Sequence, residues 1–170
     1  ELNNRFVDAV SKITGGEPRF FSVIDAERLL DIDVDFPEQV GKDRLADAIA
    51  AAECYGSPTI VIDMGTATTV GIVTADRKFV GGMIIPGVKT SHRALCERAS
   101  QLSEIDKWEA GSIVGRNTKE CMQSGVIFGA ACMIDGVIDR INDMFDSPFT
   151  IVATGGMSSV IVPYCKHEII

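Results

Sequence analysis

The sequence predicts an α/β domain in which a mixed sheet carries helices on its faces. Three observations predict it. Thr59-Ile60-Val61-Ile62-Asp63 is a short β-branched run of the kind buried on both faces of a sheet. Two more strands follow it through tight turns, and a long helical stripe then precedes a last apolar strand, Thr150 to Ala153. Strand–strand–strand–helix–helix–strand is an order that fits one mixed sheet flanked by helices.

The elements read as follows. Phe6, Val7, Val10 and Ile13 sit at helical spacing, and Gly15-Gly16 ends that helix. Arg19 to Ile24 reads as a short strand. From Asp31 to Phe36 acids alternate with apolar residues, which suits an edge strand or extended loop with one wet face, or alternatively a metal-binding loop. Asp43 to Cys54 is a helix with Leu45, Ala48, Ile49 and Ala52 on its apolar stripe. Asp43 can cap its start, and Tyr55-Gly56-Ser57-Pro58 stops it. Thr68 to Thr74 and Phe79 to Ile85 are strands joined by a turn at Ala75–Lys78, and Gly81-Gly82 permits a bulge. Pro86-Gly87 breaks the second of these, and a helix runs from Val88 to about Leu102.

The longest element spans Thr118 to Phe145. Its stripe includes Ile127, Ile134, Ile138 and Ile141, while Gly125 and Gly129 weaken the helix yet allow another backbone to approach. The last strand runs into Thr154-Gly155-Gly156.

Composition narrows the function. With 170 residues, 46% hydrophobic residues and a net charge of −8, the chain suits one domain or two small lobes and is too apolar for disorder. No uninterrupted apolar run of about 18 residues spans a bilayer, and no basic n-region precedes an apolar one. A pI near 4.7 argues against phosphate-driven nucleic-acid binding. Five scattered cysteines without a C-x-x-C pair suit a reduced, cytoplasmic protein, and two histidines, His92 and His167, make a Cys/His zinc site improbable. His92 and Trp108 read as surface or packing residues. The start on Glu1 and the end on Ile169-Ile170 suggest a piece of something longer.

Four segments can carry chemistry. Asp63-Met64-Gly65-Thr66-Ala67-Thr68-Thr69 sets a carboxylate at a strand end before a glycine turn. There bare amides at Gly65 and the hydroxyls of Thr66 and Thr68 can meet phosphate, with a cation needed between phosphate and Asp63. The same residues could merely satisfy a hairpin turn. Gly41-Lys42-Asp43-Arg44 is a helix cap with a surface cation, or a base beside a substrate-holding arginine. Gly115-Arg116-Asn117-Thr118-Lys119-Glu120 is a capping box that could also bind an anion. At Thr154-Gly155-Gly156 the paired glycines either make a tight turn or let a flat ring lie against backbone.

Together these segments resemble the type III pantothenate kinases, within the actin/hexokinase/Hsp70-like ATPase superfamily. Gly81-Gly82 with Pro86-Gly87, Gln123-Ser124-Gly125, Asp135-Gly136 and Ala153-Thr154 extend the match from residue 40 onward. The resemblance implies an RNase H-like mixed sheet of the actin-like ATPase fold. Residues 1–57 would be a remnant of the N-terminal subdomain and 58–170 the C-terminal one. The activity implied is ATP-dependent phosphorylation of pantothenate, the first step toward coenzyme A. Asp43 would be the proton acceptor; Gly41, Lys42, Asp43, Arg44 and Thr118 would bind pantothenate. Gly65, Thr66, Thr68, Gly155 and Gly156 would bind ATP, and Asp63 a monovalent cation, K+ or NH4+, with Mg2+ accompanying the nucleotide. The implied assembly is a homodimer that uses the Gly125/Gly129 helix, with no nucleic-acid or membrane partner.

The sequence departs from the family at Met64, Ser103 and Asp47. Asp47 stands where Asn is usual and adds a carboxylate one turn after Asp43. The family's opening Asp-x-Gly-Asn-Thr phosphate loop has no counterpart here. The isolated chain is therefore expected to turn over weakly or not at all, and a non-catalytic regulatory or transcriptional accessory protein on the same fold is the alternative.

Overall fold

The computed structural model describes residues 2–170; Glu1, on which the expectation of a cut start rests, lies outside them. In chain order the elements are α1 (Leu2–Thr14), α2 (Val23–Glu27), β1 (Asp31–Ile32), α3 (Lys42–Tyr55), β2 (Thr59–Met64), β3 (Ala67–Val73), β4 (Lys78–Pro86), α4 (Val88–Arg98), α5 (Thr118–Asn142), β5 (Thr150–Thr154) and α6 (Ser158–Ile161). The strands make one sheet in the order β1-β4-β3-β2-β5. β2, β3 and β4 form an antiparallel meander, β5 runs parallel to β2, and β1 runs parallel to β4 at the far edge. This is the expected mixed α/β sheet with flanking helices, in the RNase H-like arrangement of a meander with a parallel strand beside its first member.

Strand alternation sorts the core into two layers. Ile60, Ile62 and Met64 of β2 pack with Ile127, Ile134 and Ile138 of α5 and with Ile161 of α6. Val61 points the other way, onto Leu45, Ala48 and Ala52 of α3 and onto Phe79. Each fully buried aliphatic of this kind contributes roughly 1.5–3 kcal/mol, so β2, buried on both faces, anchors the molecule. α5 is long and apolar enough to cross a bilayer by length and composition, but its isoleucine stripe lies against the sheet.

Four local expectations differ from the structure. Residues 19–24 form no strand; Ser22 caps α2, its Oγ accepting from Asp25 N at 3.2 Å while Asp25 Oδ2 accepts from Ser22 N at 3.1 Å. Asp43 is not the cap of α3; Gly41 holds that position, and Asp43 sits in the first turn. α4 stops at Arg98, where Ala99 turns to an extended conformation, and the following loop is pinned back by a bond from Ile105 N to His92 Nε2 at 3.1 Å. α5 ends at Asn142, beyond which Phe145 packs edge-to-face on Phe149 at 5.2 Å as the chain turns toward β5.

Candidate functional site

The carboxyl ends of parallel strands in an α/β sheet are where ligands collect. Here the ends of β2 and β5 lie side by side, with Asp63 in register with Thr154. Alternation turns Asp63, like Val61, toward α3. The chain leaving β5 then passes directly over it. A Cβ on Gly155 would collide with Asp63 Oδ1 and come within 2.6 Å of Met64 N and C, and Gly155 has φ of +87°. Only glycine meets both conditions without strain. Met157 N donates to Met64 O at 3.1 Å and locks the two turns together.

The turn between β2 and β3 is closed by Gly65 N donating to Ala67 O at 3.0 Å. Thr66 stands exposed at its tip. Its carbonyl accepts from Gly87 N at 3.1 Å and from Thr90 Oγ1 at 2.8 Å, which fixes the start of α4 to the turn. Thr68 does not fit the expectation of a phosphate contact in this conformation. It is 1% exposed, its Oγ1 has no partner, and it points inward in phase with Val70.

α3 brings its first two turns against this end of the sheet. Asp43 is exposed, and its Oδ1 accepts from Arg44 N at 2.9 Å. One turn on, burial and then the charges of Asp63 and Asp43 hold the Asp47 carboxyl above the ordinary carboxylate range. Burial and then the charge of Asp43 raise Asp63 as well. Asp43, Asp47 and Asp63 therefore form one electrostatic group, as the departure at Asp47 suggested. Arg44 turns away from them: its guanidinium lies 5.7 Å from the centre of the Phe79 ring, and Nη2 donates to Val70 O at 3.4 Å. Burial lowers its pKa against the opposing pull of Asp43.

The structure thus joins Asp43, Asp63, Gly65, Thr66, Gly155 and Gly156 at one end of the sheet. Thr118 lies elsewhere, at the start of α5, on the wall of an apolar groove of about 580 Å³ between α4 and α5. Asn117 caps α5 by accepting from Glu120 N at 3.0 Å, but the Glu120 carboxylate returns to Arg116 N at 2.8 Å, one residue before the cap.

Beside the Gly65–Thr66 turn the sequence reading missed a cleft of about 690 Å³ that Gly156, Lys89 and Trp108 also line. Its signal was present: Gly87 places α4 directly on the turn, and Lys89 and Arg93 follow at helical spacing.

Among the described residues no cluster of three or more His, Cys, Asp or Glu could hold a metal ion.

A family model for type III pantothenate kinases matches residues 1–140. The chain is 48% identical over 134 residues to the type III pantothenate kinase of Nocardia farcinica, covering 76% of this chain and 50% of that protein. To the Streptomyces coelicolor enzyme it is 43% identical over 131 residues, covering 75% and 49%. Among solved structures, a Baf family transcriptional activator from Campylobacter jejuni superposes with a TM-score of 0.57 at 22% identity, over 85% of this chain and 63% of that one. That likeness establishes the shared fold. The chain spans about half the length of the curated relatives it matches. By its family match over residues 1–140 and its identity to these kinases, the chain belongs to the type III pantothenate kinase family.

Proposed function

We propose that the protein to which this chain belongs transfers the γ-phosphoryl group of ATP to the primary hydroxyl of pantothenate, and that these residues form one half of its active site. The observation that carries the reading is the meeting of Asp43 on α3 with Asp63 and the Gly65–Thr66 and Gly155–Gly156 turns at the ends of β2 and β5. α3 supplies a base on one side, and the turns after β2 and β5 supply a bare-backbone phosphate cradle on the other.

The hydroxyl oxygen forms a bond to the γ-phosphorus, the bond from that phosphorus to the bridging β,γ-oxygen breaks, and ADP leaves. Asp43, exposed in the first turn of α3, takes the hydroxyl proton. Gly41, Lys42 and Arg44 accompany it as pantothenate contacts; Thr118, on the wall of the separate groove between α4 and α5, is not brought to them within this chain. Gly65, Thr66, Gly155 and Gly156 hold the nucleotide through backbone amides and one hydroxyl. Catalysis in such a reaction is chiefly positioning and neutralisation of charge.

The acidic group gives neutralisation particular weight. Asp63 fits a monovalent cation, K+ or NH4+, because burial and Asp43 both penalise its negative charge. A bound cation supplies the positive charge that lets phosphate oxygens approach. Mg2+ would travel with the nucleotide. The protein would act as a cytoplasmic homodimer whose second copy covers the open face of α5 at Gly125 and Gly129. Residues 1–57 would close an N-terminal subdomain and residues 58–170 build the C-terminal one.

Pantothenate-dependent ADP release by the intact gene product, with and without K+, tests the reading. Turnover that requires both supports it, and Asp43→Asn is expected to lower kcat by about 10²–10⁴-fold. Wild-type turnover in that variant would remove Asp43 from the base role. An intact protein that binds pantothenate but never releases ADP would favour the non-catalytic alternative.

A further inference from the structure

We propose that His92 is a positioning residue that works as a pH-sensitive latch: its neutral imidazole holds the segment between α4 and α5 against α4, and uptake of a proton releases that segment. The latch acts on the chain itself and is independent of what the neighbouring cleft binds.

Among the described residues, 103–116 make no backbone–backbone hydrogen bond to the rest of the chain. Side chains hold the segment instead. From α5, Lys119 pairs with Asp106 at 2.9 Å and Ser124 Oγ donates to Ile113 O at 2.6 Å. Toward α4 the described residues supply one hydrogen bond, from Ile105 N to His92 Nε2 at 3.1 Å.

That bond decides where the imidazole carries its proton. Nε2 accepts from Ile105, so the single proton of the neutral ring sits on Nδ1. Nδ1 is buried without a partner, in a side chain that is 4% exposed. A second proton would have to enter at Nε2 and face the Ile105 N–H, donor against donor. The resulting cation would be buried, and no carboxylate bonds either ring nitrogen to offset its desolvation. Cys96 Sγ, 3.7 Å from Nε2, is only a weak acceptor. The other titratable groups around the ring are Cys121 of α5, across the apolar groove, and Lys89, Arg93, Glu97 and Glu104 along the cleft. The protonated ring and the pinned segment therefore exclude each other. The latch is complete at high pH and is lost as pH falls through the imidazole range, the sign required of a histidine that must stay neutral to hold its partner.

Release reaches the site through Trp108. Its half-buried ring stands edge-on to His92, at 5.5 Å and 82°, and walls the cleft beside the Gly65–Thr66 turn. Acidification thus moves one wall of the cleft, while the turn itself stays tied to α4 by Gly87 N and Thr90 Oγ1.

Trp108 is the chain's single tryptophan, so its emission reports this segment. The experiment takes the purified chain from about pH 8 to about pH 5.5, a range over which imidazole titrates. It follows Trp108 emission and amide hydrogen exchange at Ile105, with Val61 in β2 as the reference. The emission should shift reversibly to the red as pH falls. Protection of Ile105, corrected for intrinsic exchange, should drop about tenfold per pH unit at the acid end, the slope of one coupled proton, while Val61 stays protected. His92→Gln offers a side-chain oxygen that does not titrate and should keep the high-pH emission throughout. His92→Leu, similar in size but with no acceptor, should show at high pH what the wild type shows at low pH. A wild type with no transition, a transition that persists in His92→Gln, or a His92→Leu chain indistinguishable from latched wild type would overturn the latch. Quenching at constant wavelength with Ile105 still protected would do the same, by showing that the ring takes its proton in place. Equal loss of protection at Val61 would make the transition global and also overturn it.

Discussion

Gly155 governs the site through backbone geometry alone. At φ +87° an alanine is strained, and its methyl group would displace Asp63 Oδ1 and press on Met64. Gly155→Ala should therefore lose about 1–3 kcal/mol in denaturant unfolding, whereas Gly156→Ala, with nothing within 4 Å of its Cβ, should keep wild-type stability. Asp47 makes the matching electrostatic case. Its pKa is raised in the folded chain above the ordinary 3.8, by burial first and by Asp63 and Asp43 next. Between those two values the folded state holds the extra proton. The group's contribution to stability is thus fully present below 3.8 and lost as pH rises through the raised value. Asp47→Asn should stabilise the fold at pH 7 by less than about 1 kcal/mol, read as a higher melting temperature, because solvent reaches the side chain. The gain should shrink toward zero as the pH is lowered to the ordinary carboxylate range. A variant equally stabilised at both ends of that titration would show that Asp47 acts by packing, not charge.

At the scale of elements, α2 and β3 show what sequence can and cannot report. Phe20, Phe21, Val23 and Ile24 have strand-like composition, yet the Ser22–Asp25 capping box decides for a helix. That signature was legible and was outweighed by propensity. Ser22→Ala should cost about 1 kcal/mol, read as a lower midpoint in urea. β2, β3, β4 and β5 were legible because β-branched runs and glycine breaks leave few alternatives. Thr68 was misread by residue type: a hydroxyl suggests solvent, but the two-residue period of β3 places it inward with Val70. The site's parts were legible one loop at a time, since glycine, aspartate and threonine at strand ends announce themselves. The cleft at Trp108 was not, because it depends on where the irregular residues after Arg98 return, and a single hydrogen bond to a buried histidine sets that.

For the whole molecule, the two faces of the sheet are unequally finished. α3 and α2 close one face over Val61, Val73 and Phe79, while α5 covers the other and leaves an apolar groove against α4 that Leu95, Val126 and Met133 line. A net charge of −8 keeps such chains apart at long range, so the homodimer proposed above would have to draw on this local apolar surface. Gly125 and Gly129 sit exposed, one turn apart, on the open side of α5, and a Cβ at either meets nothing within 4 Å. The fold of one copy therefore gives no reason for glycine there; leucine would raise helix propensity by roughly 0.5–1 kcal/mol. Close approach of a second copy does give a reason. Gly129→Leu should hold or raise the melting temperature of the single chain and yet shift sedimentation from dimer toward monomer. A wild-type chain that sediments as a monomer at high micromolar concentration, or a Gly129→Leu dimer as tight as wild type, would remove this face from the assembly.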